Sequence, residues 1–219
     1  LWDDSGNQTD STATGLTAGT YTATITDASG CTTTESVTVN EPPALTTSTD
    51  STNITCNGIC DGIATVTPTG GTLPYTYLWN NGQTDSTATG LCAGTTDTVI
   101  VTDANGCADT TLVTLSEPLI LTSSITDSTN ISCNGVCDGT ATVTPTGGTL
   151  PYTYSWNNGQ TDSTATGLCA GTTDTVIVTD ANGCTDTTFV SLSEPLILIS
   201  SITDSTNISC NGLCDGTAT

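Results

Sequence analysis

The sequence repeats itself every 77 residues, and that period constrains the fold more than any single motif does. Trp2, Trp79 and Trp156 fall in register, as do Cys56, Cys133 and Cys210. The block from TCNGICDG at Thr55 to Glu117-Pro118 returns almost verbatim between Ser132 and Glu194-Pro195. An earlier copy diverges, with WDDSGNQTD for WNNGQTD and GLTAGTYTATITD for GLCAGTTDTVIVTD. Its length changes nearly cancel, as they do when loops vary on a fixed strand frame. The period places the C-terminal part of a repeat in residues 1–42, complete repeats in 43–118 and 119–195, and the N-terminal part of another in 196–219. With a mid-repeat Trp near one end and a Cys pair near the other, the chain is expected to be a window on a longer array.

Within one repeat the apolar pattern has the period of strands. Gly62 to Thr67 alternates apolar residues with Thr, which predicts a strand with one buried face. Pro74 to Trp79 reads as an aromatic strand closed by an Asn80-Asn81-Gly82 turn. Thr87 to Leu91 is a short strand, and Thr98 to Thr102 is the most β-prone stretch. Asp103-Ala104-Asn105-Gly106 marks a hairpin turn, because Asn-Gly readily takes positive φ, and Thr110 to Leu115 returns as the last strand. About seven short strands with no helical periodicity predict an all-β chain. The expected architecture is a tandem array of immunoglobulin-like β-sandwich repeats, with Trp79 in the core. Short Glu-Pro linkers join them; proline fixes φ and restricts the residue before it, so the array should be a semi-rigid rod.

Composition removes whole classes of function. The chain has no Lys, Arg or His against 22 acidic residues. Nucleic-acid binding needs cationic groups that displace phosphate counterions, and a basic attachment to anionic lipid needs the same groups. Lys–Asn isopeptide cross-links are impossible, and the commonest general base is missing. No apolar run of membrane-spanning length occurs, so no direct membrane insertion is expected. The acidic residues fall in linkers and turns, which argues against paired-carboxylate catalysis and for a protein that is not an enzyme.

Each complete repeat carries four cysteines: two in Cys-Asn-Gly-x-Cys, one at the Leu-Cys-Ala-Gly corner and one in the Asn-Gly-Cys turn. A small repeat with a limited apolar core needs such staples, and even numbers at fixed spacing point to an oxidising, extracellular setting. In the divergent copy Thr17 stands where the corner cysteine would be, while the turn cysteine, Cys31, remains. Corner and turn cysteines are therefore not expected to be partners. The predicted pairs are Cys56–Cys107 with Cys60–Cys92, and Cys133–Cys184 with Cys137–Cys169. Cys-x3-Cys without His is a poor zinc signature, so no metal is expected there.

CNGxCDGxATVTPTGGTLPYTYxWNNGQT, the GLCAG corner, VTDANGC and the closing SEP together closely resemble the SprB repeat, found in very large surface adhesins of gliding Bacteroidota. The resemblance covers essentially the whole chain. It implies export to the cell surface by the type IX secretion system and roles in adhesion and gliding. The implied partners are neighbouring repeats and a surface polysaccharide or other cell-surface ligand. The Cys60–Cys92 pair, missing from the divergent copy, looks like an optional addition.

Two further motifs suggest chemistry. Asp followed by Ser or Thr and then an aliphatic residue or Thr resembles the acceptor triplet of the general O-glycosylation pathway of Bacteroidota. The acceptors would be Ser11, Ser51, Ser86, Thr98, Thr110, Ser128, Ser163, Thr175, Thr187 and Ser205. Covalent glycans are thus expected, against the plainer reading that Asp-Ser-Thr is turn and edge chemistry. Structural calcium is the second candidate, with Asp61, Asp103 and Asn105 as hard oxygen donors near turns, although no complete EF-hand loop exists. No other cofactor is expected. The leading functional expectation is a stalk in a surface adhesin. The alternative is an extracellular filament formed by identical chains, with a calcium-binding or ice-binding rod more remote.

Overall fold

A computed structural model describes residues 1–219. The chain is all-β, and no helix is present that could cross a membrane. It divides into two compact units: Leu1–Asn53 with Cys60–Leu115, and Ile54–Ile59 with Ser116–Thr219. The cut does not follow the sequence period. The short segment Ile54–Ile59 leaves the repeat that encodes it and belongs to the second unit.

In the first unit, β1 (Gly19–Thr26) and β2 (Thr32–Val39) form a hairpin, and Trp2 bridges to Ala23 on β1. The complete repeat then supplies six strands rather than seven. β3 (Thr46–Thr52), β4 (Gly62–Thr69) and β6 (Thr87–Leu91) make one antiparallel sheet in the order β3-β4-β6. β5 (Thr76–Trp79), β7 (Thr96–Thr102) and β8 (Ala108–Thr114) make the other, in the order β5-β7-β8. The stretch before β3 forms no strand of its own: Pro43 O accepts the Gly71 N–H at 2.7 Å as the chain crosses that turn.

The second unit repeats the plan. β9 (Thr122–Thr129), β10 (Gly139–Thr146) and β12 (Thr164–Leu168) form the sheet β9-β10-β12. β11 (Thr153–Trp156), β13 (Thr173–Thr179) and β14 (Thr185–Ser191) form β11-β13-β14, and the two-residue strands β15 (Ser205–Thr206) and β16 (Thr217–Ala218) pair beyond them. One apolar cluster fills the space between the sheets: Ala141 and Val143 from β10, Ala165 and Leu168 from β12, Trp156 from β11, Val176 and Val178 from β13, and Val190 from β14. β10 and β13 contribute every second residue, which is why their period-2 pattern was legible, while the register shift between β10 and β12 sets Ala165 and Leu168 three apart.

Trp79 and Trp156 are 1% and 2% exposed, the centres of their cores. Their indole N–H groups donate to Asp85 O and Asp162 O, both at 2.9 Å, so the one polar atom of each ring is satisfied as it is buried. Thr is abundant because the outer rungs pair hydroxyl to hydroxyl across strands, as in Thr46–Thr69 at 2.8 Å and Thr65–Thr87 at 3.0 Å. The Asn-Gly turns differ in detail from expectation. Gly106 and Gly183 take positive φ (86° and 87°), but Asn105 and Asn182 do not, so these are turns ending in a left-handed glycine.

Candidate functional site: the staple loop and its acid anchors

The loop between β3 and β4 contains Cys56-Asn57-Gly58-Ile59-Cys60, and its hydrogen bonds fix where each cysteine can reach. Ile54 N–H donates to Ser116 O at 3.1 Å, Gly58 N–H to the Glu117 carboxylate at 2.6 Å, and the Asn57 amide to Pro118 O at 3.0 Å. The second copy is seated identically: Ile131 on Ser193 O at 3.0 Å, Gly135 on Glu194 at 2.7 Å, and Asn134 on Pro195 O at 3.1 Å. The Glu-Pro junction is thus clamped by its carboxylate and carbonyl as well as stiffened by its proline. The sequence showed the proline; the role of the glutamate was missed, and its only signal was recurrence beside a Gly-containing loop.

This seating corrects two predicted disulfides. Cys133 lies in the loop held at the C-terminal end of β14, whereas Cys184 precedes the strand's first residue, Thr185. The seven residues of β14 span about 23 Å at ~3.3 Å per residue, far beyond the ~4.4–6.8 Å between the Cα atoms of a disulfide. Cys133–Cys184 is therefore not formed, and neither is Cys56–Cys107. Cys184 bonds Cys56 instead, with Cα atoms 5.7 Å apart and a sequence separation of 128. Beside this bond the Asn182 amide donates to Thr55 O at 2.9 Å. Cys60 bonds Cys92 and Cys137 bonds Cys169, each across 32 residues. Cys107 and Cys133 are exposed thiols, as are Cys31, Cys210 and Cys214.

The turn that presents Cys184 is organised around a buried acid. Asp180 Oδ2 accepts the Thr149 N–H at 2.8 Å, while Oδ1 accepts the N–H groups of Asn182 and Cys184, each at 2.9 Å. Asp103 does the same with Thr72, Asn105 and Cys107. Burial alone would raise both carboxyls, but these backbone donors outweigh it and hold them below the ordinary value. The calcium expectation had named Asp103 and Asn105. The Asp103 oxygens are occupied by N–H donors, and the Asn105 amide donates to Thr72 Oγ1 at 3.0 Å. No group of three or more acidic or sulfur side chains gathers at one point, Asp61 included.

The triplet acceptors are spread over the surface rather than gathered into one site. Ser11, Ser51, Thr110, Ser128, Ser163, Thr187 and Ser205 are exposed, while Ser86, Thr98 and Thr175 are half-buried. Several of the triplet aspartates also have structural roles. Asp109 accepts Thr47 Oγ1 at 2.7 Å, and Asp186 accepts the Ser123 N–H at 2.5 Å and its hydroxyl at 2.6 Å. These bonds tie β3 to β8 and β9 to β14, edge strands that share no backbone ladder. The Thr47 hydroxyl, which outweighs the cost of burial, holds the Asp109 carboxyl below its ordinary value. Asp97 and Asp174 point inward and are 6% and 7% exposed, each with one oxygen lacking a hydrogen-bond partner.

A family model described as the SprB repeat matches residues 48–84 and 125–161. Over those residues the chain is similar to the SprB repeat. The two matches lie one sequence period apart, and each runs from the first strand of a sandwich through the Cys-Asn-Gly loop to just past the core Trp. The SprB repeat is a structural repeat domain of cell-surface proteins and not a known enzyme family. Both matches end before the corner and turn cysteines, so they carry no information on disulfide pairing. No curated protein matches the chain.

Proposed function

We propose that this chain is part of the spacer of a secreted bacterial surface adhesin, exported to the cell surface, that sets a binding module apart from the cell. The observation that carries this reading is the Cys56–Cys184 bond, which joins one sequence repeat covalently to the next, and whose Cys56 lies in a segment similar to the SprB repeat. A protein that only had to present a local site would gain little from such a bond. One that must stay continuous under pull gains directly, because unfolding a repeat cannot lengthen the chain between the two sulfurs.

The exposed triplet serines and threonines, Ser11, Ser51, Thr110, Ser128, Ser163, Thr187 and Ser205, are proposed O-glycan acceptors on that spacer. Intact-mass measurement of protein secreted from its native host tests this part. Mass above that of the bare polypeptide, in sugar-sized steps, is expected, and a bare-polypeptide mass would end the glycan proposal. A second reading, lateral association into a filament, is favoured by apolar side chains on the outer face of the β5-β7-β8 sheet. Leu78 is 53%, Ile100 40% and Leu112 62% exposed there. Electron microscopy of purified material at low and high calcium separates the two: isolated threads support the spacer, and thick filaments of fixed repeat support the polymer.

A further inference from the structure

We propose that Cys56–Cys184 is one instance of a translational staple. In this arrangement the Cys-Asn-Gly cysteine of each repeat bonds the turn cysteine of the repeat that follows it. The exposed thiols of Cys31, Cys107, Cys133 and Cys210 are unfilled halves of the same bond, and their partner is a further SprB-type repeat. For Cys133 that partner presents an Asp-Ala-Asn-Gly-Cys turn; for Cys107 it presents a Cys-Asn-Gly loop.

Three observations carry the inference. The loop holding Cys133 has the same three hydrogen bonds, to Ser193, Glu194 and Pro195, as the loop holding Cys56 has to Ser116, Glu117 and Pro118. Cys133 is therefore presented as Cys56 is, with no turn cysteine against it. The turn holding Cys107 is likewise built as the turn holding Cys184, on Asp103 as on Asp180, and Asn105 bonds Thr72 Oγ1 as Asn182 bonds Thr149 Oγ1. What Asn182 adds is a second bond, to Thr55 O of the bonded loop. Finally, the two observed spacings account for all the free thiols. Moving 128 residues back from Cys31 or Cys107, or forward from Cys133 or Cys210, leaves residues 1–219. Cys214 does the same under the 32-residue spacing of Cys60–Cys92 and Cys137–Cys169.

Closing each staple removes two electrons and two protons from a pair of thiols. An oxidised disulfide, such as glutathione disulfide, takes them up and becomes two thiols. The inference goes beyond the spacer reading and does not rest on it.

The test is a chain in which residues 119–195 are inserted once more after Pro195, oxidised with glutathione disulfide and mapped by non-reducing peptide analysis. The expected result is Cys56 still joined to Cys184 and Cys133 joined to the turn cysteine of the inserted copy. Thiol titration should still find five free cysteines, as in the parent chain. The substitution C133S should leave the inserted turn cysteine as a thiol without loosening Cys56–Cys184. Peptides joining Cys56 to Cys107, with only Cys31, Cys210 and Cys214 left free, would overturn the proposal. So would an inserted turn cysteine that stays unbonded while Cys133 is intact. Oxidising the 219-residue chain alone at rising concentration identifies the source of the partner. Cys107–Cys133 links between copies mean that a second chain can supply the repeat; only monomers mean that it must come from the same polypeptide. Either result is consistent with the staple.

Discussion

Asp180 shows how much of the turn depends on one carboxylate. Three backbone N–H groups end on its two oxygens. In Asp180→Asn, one oxygen becomes an amide that cannot accept, and an N–H donor is left facing another donor. The loss should be about 1–3 kcal/mol at neutral pH. The pH dependence has a fixed sign. The folded carboxyl lies below its ordinary 3.8, so its contribution is complete above that value and is lost as pH falls through the lower, folded one. Melting temperatures of the two proteins should therefore differ most at pH 5–7, and the gap should close as pH falls below 3.8. A gap that stays constant down to pH 2 would show that the charge is not what matters. Asp103 and Asp180 were legible as turn residues from Asp-x-Asn-Gly, but not as hubs. Their third donors, Thr72 and Thr149, come from another turn 31 residues earlier, and no local pattern predicts that contact.

At the scale of elements, the crossing before β9 is where the repeat is least tolerant. Gly147 has φ of 73°, and a Cβ placed on it would lie 1.9 Å from Ile120 O, a backbone atom that cannot swing aside. Gly159 has a similar φ of 86°, but a Cβ there meets nothing within 4 Å. Gly159→Ala should then cost about 1–2 kcal/mol from the left-handed backbone alone, and Gly147→Ala about 3 kcal/mol or more. Chemical denaturation of the two variants measures the difference, and equal losses would mean that the close approach relaxes freely. The strands themselves were readable because side chains alternate across a sheet that is buried on one face. The expected count of about seven exceeded the six formed, and β3 (Thr46–Thr52) was not named in advance because its Thr, Ser and Asp side chains are almost all exposed and show no apolar alternation.

For the whole molecule, the long staple makes a mechanical prediction. The segment from Cys56 to Cys184, a separation of 128 residues, could extend by about 440 Å at ~3.4 Å per residue once unfolded. In oxidised protein pulled from its termini that length should be hidden, and reductant should release it. Single-molecule force spectroscopy reads the difference directly. Full extension without reductant would rule out the bond. The chain-entropy model assigns about 5 kcal/mol to a loop of this size and about 4 kcal/mol to each 32-residue loop, so the staples matter for stability as well as continuity.

The sequence by itself determined the period, the all-β sandwich, the buried Trp and the 32-residue pairs Cys60–Cys92 and Cys137–Cys169. The first three follow from local alternation and from the period; the comparison of copies excluded only a corner–turn bond, and the structure bears out the choice of Cys60–Cys92 and Cys137–Cys169 among the pairings left. It could not determine which copy supplies the partner of Cys56. In near-identical repeats, a bond to the turn cysteine of the same copy and a bond to that of the next leave the same pattern of residues. Tertiary structure broke the tie. The clamp at Glu194 places the loop at one end of β14 and the turn cysteine at the other, and a seven-residue strand is too long for a disulfide to span.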